Sequence, residues 1–283
     1  MGTSQSKPPP GGGKPLVPSW GAQDPAPPAD AEPTDGAPEE GPAETPAPGE
    51  PVPPNNPPAP TPIPKLPPRP LAGTRRALRD YYETGDRGAA RRAGGRYARS
   101  VGSGGAARHA RAAQTGGGAL AALARAANGL EPTPGTLDLR TLAGRPLEEA
   151  IADIVDAFCP PGILDEEAAR LAVGEALFEV FGDAEFFDPT TENDVGLFVA
   201  VRCFVAELVF ASLTAEAGSA ADRVPPAVAI ARENGLRDLV REVTDHVATP
   251  ILQNAGAMLA PEAVENVVIA VTDAVIAEMK EWE

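Results

Sequence analysis

Cysteine and histidine occur only twice each in 283 residues, and aromatic side chains make up 5% of the chain. Cys159 and Cys203 both sit among apolar neighbours, which excludes a secreted disulfide framework and suits buried thiols in a reducing compartment. His109 and His246 lie in different segments, so no nucleophile–base arrangement is visible and no metal-ligand spacing emerges. The glycine clusters at Gly102–Gly105 and Gly116–Gly118 lack the lysine and hydroxyl residue of a P-loop, and they read as flexible joints. Glu148/Glu149 and Glu166/Glu167 fall in first helical turns, where the helix dipole alone accounts for them. No catalytic residue, metal ligand or cofactor is therefore assigned, and a non-enzyme is expected. The N-terminus has no apolar h-region, so a secretory signal is excluded and a cytoplasmic chain is expected.

The net charge of −16 is unevenly spread. Residues 1–70 hold 24 of the 34 prolines, with eight acids against four basic residues, and too few large apolar side chains to offset the entropy of ordering. Disorder with some polyproline II is the expectation there. Residues 71–128 hold eleven arginines against three acids, a net of +8, whereas residues 129–283 hold nine basic and 29 acidic residues, a net of −20. Four segments follow: a recognition or modification motif at 1–20, a Pro-rich linker at 21–70, a partly helical Arg/Gly-rich segment at 71–128, and an acidic all-α domain at 129–283.

The acidic part shows helical periods and no strand pattern, so the fold class is an all-α bundle preceded by the disordered tail and the arginine segment. Val195–Leu213 is long enough to span a membrane, but Arg202 and Glu207 would each cost about 2–3 kcal/mol at a bilayer centre, so it reads as a central buried helix. Pro146 opens a helix with Leu147, Ile151, Ile154, Val155 and Phe158 on one face. Asp165 caps the next, with Leu171, Leu177, Phe178 and Phe181 expected inward. Pro226 and Pro261 open two more, the last striped by Val264, Val267, Val268, Val271, Val275 and Met279.

In the middle segment, short helices are expected around Arg75–Tyr82 and Arg87–Val101, the second weakened by Gly94 and Gly95 at about 1 kcal/mol each. Arg75, Arg76, Arg91, Arg92, Arg96 and Arg99, with interleaved tyrosines, could hold phosphates or an acidic protein surface. The favoured reading is that this arm lies against the acidic domain, because charge alone is sequence-blind; nucleic acid is the alternative partner.

The opening MGTSQSKPPPGGGKPLVPSW cannot pack a core. After removal of Met1, Gly2 presents an unhindered α-amine with a pKa near 8, a usable nucleophile at neutral pH. Thr3 and Ser4 supply small polar contacts, and Leu16, Val17, Pro18 and Trp20 form an isolated docking tag. Gly2 with Ser6 also fits an N-myristoylation pattern, but a single acyl chain without a polybasic second signal anchors only marginally, and no membrane partner is assigned.

MGTSQS with the glycine-proline stretch and PLVPSW resembles the start of QatB proteins, components of the bacterial Qat anti-phage defence system. ALRDYYETGDRGAARRAGGRYARSVGSGG resembles that family's Arg/Gly-rich segment, and LEEAIADIVDAFCPPGILDEEAARLAVGEALFEVF its helical region. The resemblance implies a non-enzymatic role beside an ATPase, a QueC-like (QatC-type) protein and a TatD-like nuclease. It further implies that the QueC-like enzyme attaches a 7-deazaguanine group to Gly2, with Thr3 and Ser4 read for sequence and Leu16, Val17, Pro18 and Trp20 docking. The alternative is a structural adaptor that links the ATPase or nuclease to nucleic acid through the arginine segment.

Overall fold

Among the described residues the chain forms eight α-helices, seven of them expected from the sequence and one, Ala106–Ala127, not. In the computed structural model they are α1 (Ala72–Thr84), α2 (Arg87–Gly102), α3 (Ala106–Ala127), α4 (Leu147–Phe158), α5 (Leu164–Phe181), α6 (Asp194–Thr214), α7 (Pro226–Ala255) and α8 (Pro261–Lys280). The structure describes residues 71–102, 106–160, 164–191, 194–255 and 259–282. The segments 1–20 and 21–70 lie outside the described residues. No strand occurs among the described residues; an isolated bridge between Pro146 and Phe186 clips the start of α4 to the connection after α5. That clip is completed by the Phe187 amide, which donates to the Arg145 carbonyl at 2.9 Å.

The composition change between residues 128 and 129 runs through one packed unit. It falls at a turn where Gly129 takes φ +66°, directly after α3. The arginine segment supplies α1, α2 and α3, and α3 packs against α8, α5 and α6. Its alanines are core residues: Ala89, Ala90, Ala93, Ala98, Ala112, Ala113 and Ala119 are all buried.

The glycines of α3 are not joints. A Cβ on Gly116 would come within 2.1 Å of the Phe204 ring, and one on Gly117 within 3.0 Å of the Glu265 Cα, so they are points of close approach of α6 and α8 to α3. Gly94 and Gly95 do the same for Trp282, the residue after α8 and its capping turn. The propensity lost in α2 is exchanged for close packing.

α6 is long and apolar enough to cross a membrane by length and composition, and 61% of that stretch is buried in the bundle, mostly against α5 and α7. The α8 stripe is buried as expected, apart from a half-buried Val267. α5 departs from expectation twice. It opens at Leu164, so Asp165 lies in its first turn rather than before it. It also buries Ala169, Ala172, Val173, Ala176 and Leu177 while Leu171 and Phe178 face solvent. The small residues allow α5 to lie close to α6, and this selects the buried face over side-chain size.

Candidate functional site: the arginine helices and the α7 cleft

Of the residues singled out in the sequence, Gly2, Thr3, Ser4, Leu16, Val17, Pro18 and Trp20 lie outside the described residues. The six arginines are brought together on α1 and α2, which pack on one another. Most are engaged within the chain. Arg75 pairs with Glu216 at 2.8 Å, and Arg92 with Asp86 at 3.4 Å. Arg96 donates to the Gly73 carbonyl at 3.0 Å, and Arg99 donates to the carbonyls of Lys280 at 2.6 Å and Trp282 at 3.1 Å. The Arg91 guanidinium lies 5.4 Å from the Trp282 ring centroid, a cation–π contact. Arg76 is exposed and makes no ion pair or hydrogen bond to the described residues.

Arginines outside that set also reach the acidic part of the chain. Arg87 pairs with Glu242, and Arg125 with Glu262 at 2.7 Å. These carboxylates are largely exposed, so each pair is worth a fraction of a kcal/mol and mainly fixes orientation.

A cleft of about 290 Å³ opens where the α1–α2 turn meets α7, and composition gave no sign of it. Tyr81, Gly85, Arg87, Arg232, Asp238 and Glu242 are among its walls. Gly85 ends α1 in the left-handed region at φ +73°, its amide donating to the Tyr81 carbonyl at 2.7 Å. The Arg232 guanidinium lies where a Gly85 Cβ would be, 2.2 Å from that point. Its buried Nε has no hydrogen-bond partner among the described residues. Opposite, the Tyr81 hydroxyl donates to the Arg232 carbonyl at 2.7 Å, and burial pushes its pKa up. Two arginines, Arg87 and Arg232, and two carboxylates, Asp238 and Glu242, line this cleft, so it presents no single-sign field of the kind that concentrates a polyanion.

A separate charge network centres on a buried carboxylate. Glu207, 3% exposed at the centre of α6, lies 3.0 Å from Arg241 and 3.2 Å from Arg237, both on α7. Arg241 reaches on toward Glu179 of α5 at 3.8 Å, and the Arg237 guanidinium stacks 4.7 Å from the Phe210 ring centroid. Beside this network, burial pushes the Cys203 thiol up to about 12, which leaves no thiolate for chemistry near neutral pH. His109 is buried and its Nε2 is 2.7 Å from the Tyr97 hydroxyl, with the rings edge-on; His246 is exposed.

The family model for the Qat anti-phage system associated protein QatB matches residues 102–276. The chain belongs to the QatB family. No match is found among curated proteins or among solved structures. The QatB match covers α3 to α8 almost in full and begins at the last residue of α2, so the packed bundle carries the family identity. QatB membership gives the chain a role in the Qat anti-phage system and partners within that system.

Proposed function

We propose that this chain is the protein substrate and partner of the QueC-like, QatC-type enzyme of the Qat system, and that it acts in the cytoplasm without catalysing a reaction of its own. The observation that carries the reading is the pairing of a QatB-family bundle with a tail that starts MGTSQS, whose second residue offers an unhindered primary amine. A QueC-type enzyme activates a 7-deazaguanine carboxylate with ATP. The Gly2 nitrogen would attack the acyl carbon of that acyl-adenylate, forming the C–N bond of an amide as the C–O bond to AMP breaks. AMP leaves with the electron pair, and the ammonium-like intermediate gives its proton to solvent or an enzyme base. Glycine suits this step because no side chain crowds the amine, and Thr3 and Ser4 supply hydroxyls for recognition.

Intact-mass measurement with fragmentation of the N-terminal peptide tests the reading, on protein made alone and with its QueC-like neighbour. The expected result is an added mass on Gly2 only when the neighbour is present, lost in Gly2→Leu together with protection against phage. Protection that survives Gly2→Leu would overturn it. The adaptor reading makes the opposite prediction for removal of residues 2–20, which should leave complexes and protection intact. The engagement of five of the six arginines within the chain favours the substrate reading over a nucleic-acid adaptor.

A further inference from the structure

We infer that the cleft between the α1–α2 turn and α7 binds an elongated small zwitterion of the ω-amino carboxylic acid class, its carboxylate on Arg232 and its ammonium on Asp238. The site lies wholly within the packed helices, and the inference stands independently of what becomes of Gly2.

Two of the four charges around the cleft are already committed, since Arg87 of α2 pairs with Glu242 of α7. The other two are not. Neither the Arg232 nor the Asp238 side chain has an ion pair or a hydrogen bond among the described residues, and the Arg232 Nε is buried without an acceptor. A carboxylate is the group that best relieves such a guanidinium.

The backbone holds these two charges apart. Arg232 lies three residues before Gly235 and Asp238 three residues after it, so their Cα atoms are separated by about 9 Å along the α7 axis. Gly235 itself has no side chain, and the Tyr81 hydroxyl sits 2.8 Å from where its Cβ would be, forming the floor of the slot. That hydroxyl donates to the Arg232 carbonyl at 2.7 Å, which leaves its oxygen free to accept, and both Arg232 and Asp238 act on it electrostatically. Ala90, Ala231 and Leu239 supply apolar wall along which a methylene chain can lie.

Other small-ligand classes leave part of this lining unanswered. A simple anion would meet Asp238, a simple cation would meet Arg232, and an apolar molecule would cover both charges without pairing either. A zwitterion with its charges a few methylenes apart pairs both. The volume of about 290 Å³ is at the lower end of the range for small-molecule pockets and suits a ligand of that size. The same chemistry is carried by a free ω-amino acid and by the C-terminal lysine of a peptide.

The test titrates 6-aminohexanoate into the full chain, followed by ligand-observed NMR and by the thermal midpoint. The expected result is saturable binding with a Kd on the order of 1 mM and a midpoint that rises with ligand concentration. Hexanoate and hexylamine, which lack one charge, and glycine, which lacks the spacing, should bind about tenfold more weakly or worse. Asp238→Asn and Arg232→Gln should each weaken 6-aminohexanoate by a similar factor. Asp238 is exposed, so its variant keeps the fold, which an unchanged midpoint without ligand confirms. Acetyl-Ala-Ala-Lys separates the two sources: its binding as the free acid but not as the C-terminal amide assigns a chain terminus, and binding of 6-aminohexanoate alone assigns a free small molecule. Equal binding of hexanoate or glycine, indifference to Asp238→Asn, or no saturable binding of 6-aminohexanoate would each overturn the inference.

Discussion

The carbonyl oxygen of Trp282 lies 2.1 Å from the point that a Cβ on Gly95 would occupy, so the segment after α8 rests directly on the backbone of α2. One turn along, Arg99 donates to that same carbonyl and to that of Lys280. The contact exists because two adjacent residues of α2 have no side chain.

Gly95→Ala therefore runs against helix propensity. Exchanging a helical glycine for alanine gains about 1 kcal/mol where there is room, whereas forcing a methyl group into packed backbone costs about 1–3 kcal/mol. Gly95→Ala and Gly116→Ala should both lower the thermal midpoint, the second because its methyl would meet the fully buried Phe204 ring. Gly174→Ala, in open space on α5, should raise it. Denaturation of the three variants side by side decides the matter, and a gain at Gly95 would remove the close-contact account.

The Glu207 network should respond asymmetrically. Glu207 is the deeply buried member, while Arg237 and Arg241 keep more than a third of their side chains in water. The double variant Arg237→Ala/Arg241→Ala strands a buried carboxylate and should cost about 3–5 kcal/mol. Glu207→Gln leaves two guanidinium groups that can turn to water and should cost about 1–2 kcal/mol. Urea midpoints measure both, and equal losses would mean that the arginines contribute chiefly by packing.

Stability should fall at alkaline pH with a tyrosine component. Burial, reinforced by Glu233 3.3 Å from its hydroxyl, raises the Tyr82 pKa well above its ordinary value near 10. The folded state then holds this proton more tightly than the unfolded chain, so the contribution is complete below pH 10 and is lost as pH rises beyond it. Tyr82→Phe should flatten the fall in stability above pH 10 while leaving the curve near pH 7 parallel to the parent.

Neither thiol should react with a disulfide reagent at pH 8 in the folded chain. Cys159 and Cys203 are both buried, and the Cys203 thiol is held protonated. Two equivalents should react once guanidinium unfolds the protein. Rapid labelling in native buffer would show local opening, at the end of α4 for Cys159 or within α6 for Cys203.

The helices were legible where the chain announces them. Pro226 and Pro261 open α7 and α8 as expected, and the valines of α8 mark its inner face. The inner face of α5 was hidden because it is made of alanine: Ala169, Ala172 and Ala176 carry no periodic hydrophobic signal against Leu171 and Phe178 on the other side. The glycines of α3 were misread for the same reason, since a close approach between helices depends on a neighbour that the local sequence does not contain. Arg202 and Glu207 were visible as charges in an apolar run, but their partners Asp245, Arg237 and Arg241 lie far along the chain in α7. The α7 cleft had no linear signature either, because its two walls are about 150 positions apart.

The seat of Trp282 on α2 also sets an order of events during synthesis. Helices α1 and α2 leave the ribosome first, but the aromatic ring that closes over Gly94 and Gly95 arrives some 190 residues later. Until then α2 exposes an open groove flanked by Arg91 and Arg99, and contacts this distant in sequence are slow to form. The arginine helices are thus the first part of the bundle to be made and among the last to be sealed, which exposes them to chaperones or to another component of the Qat system while the rest of the chain is still being translated.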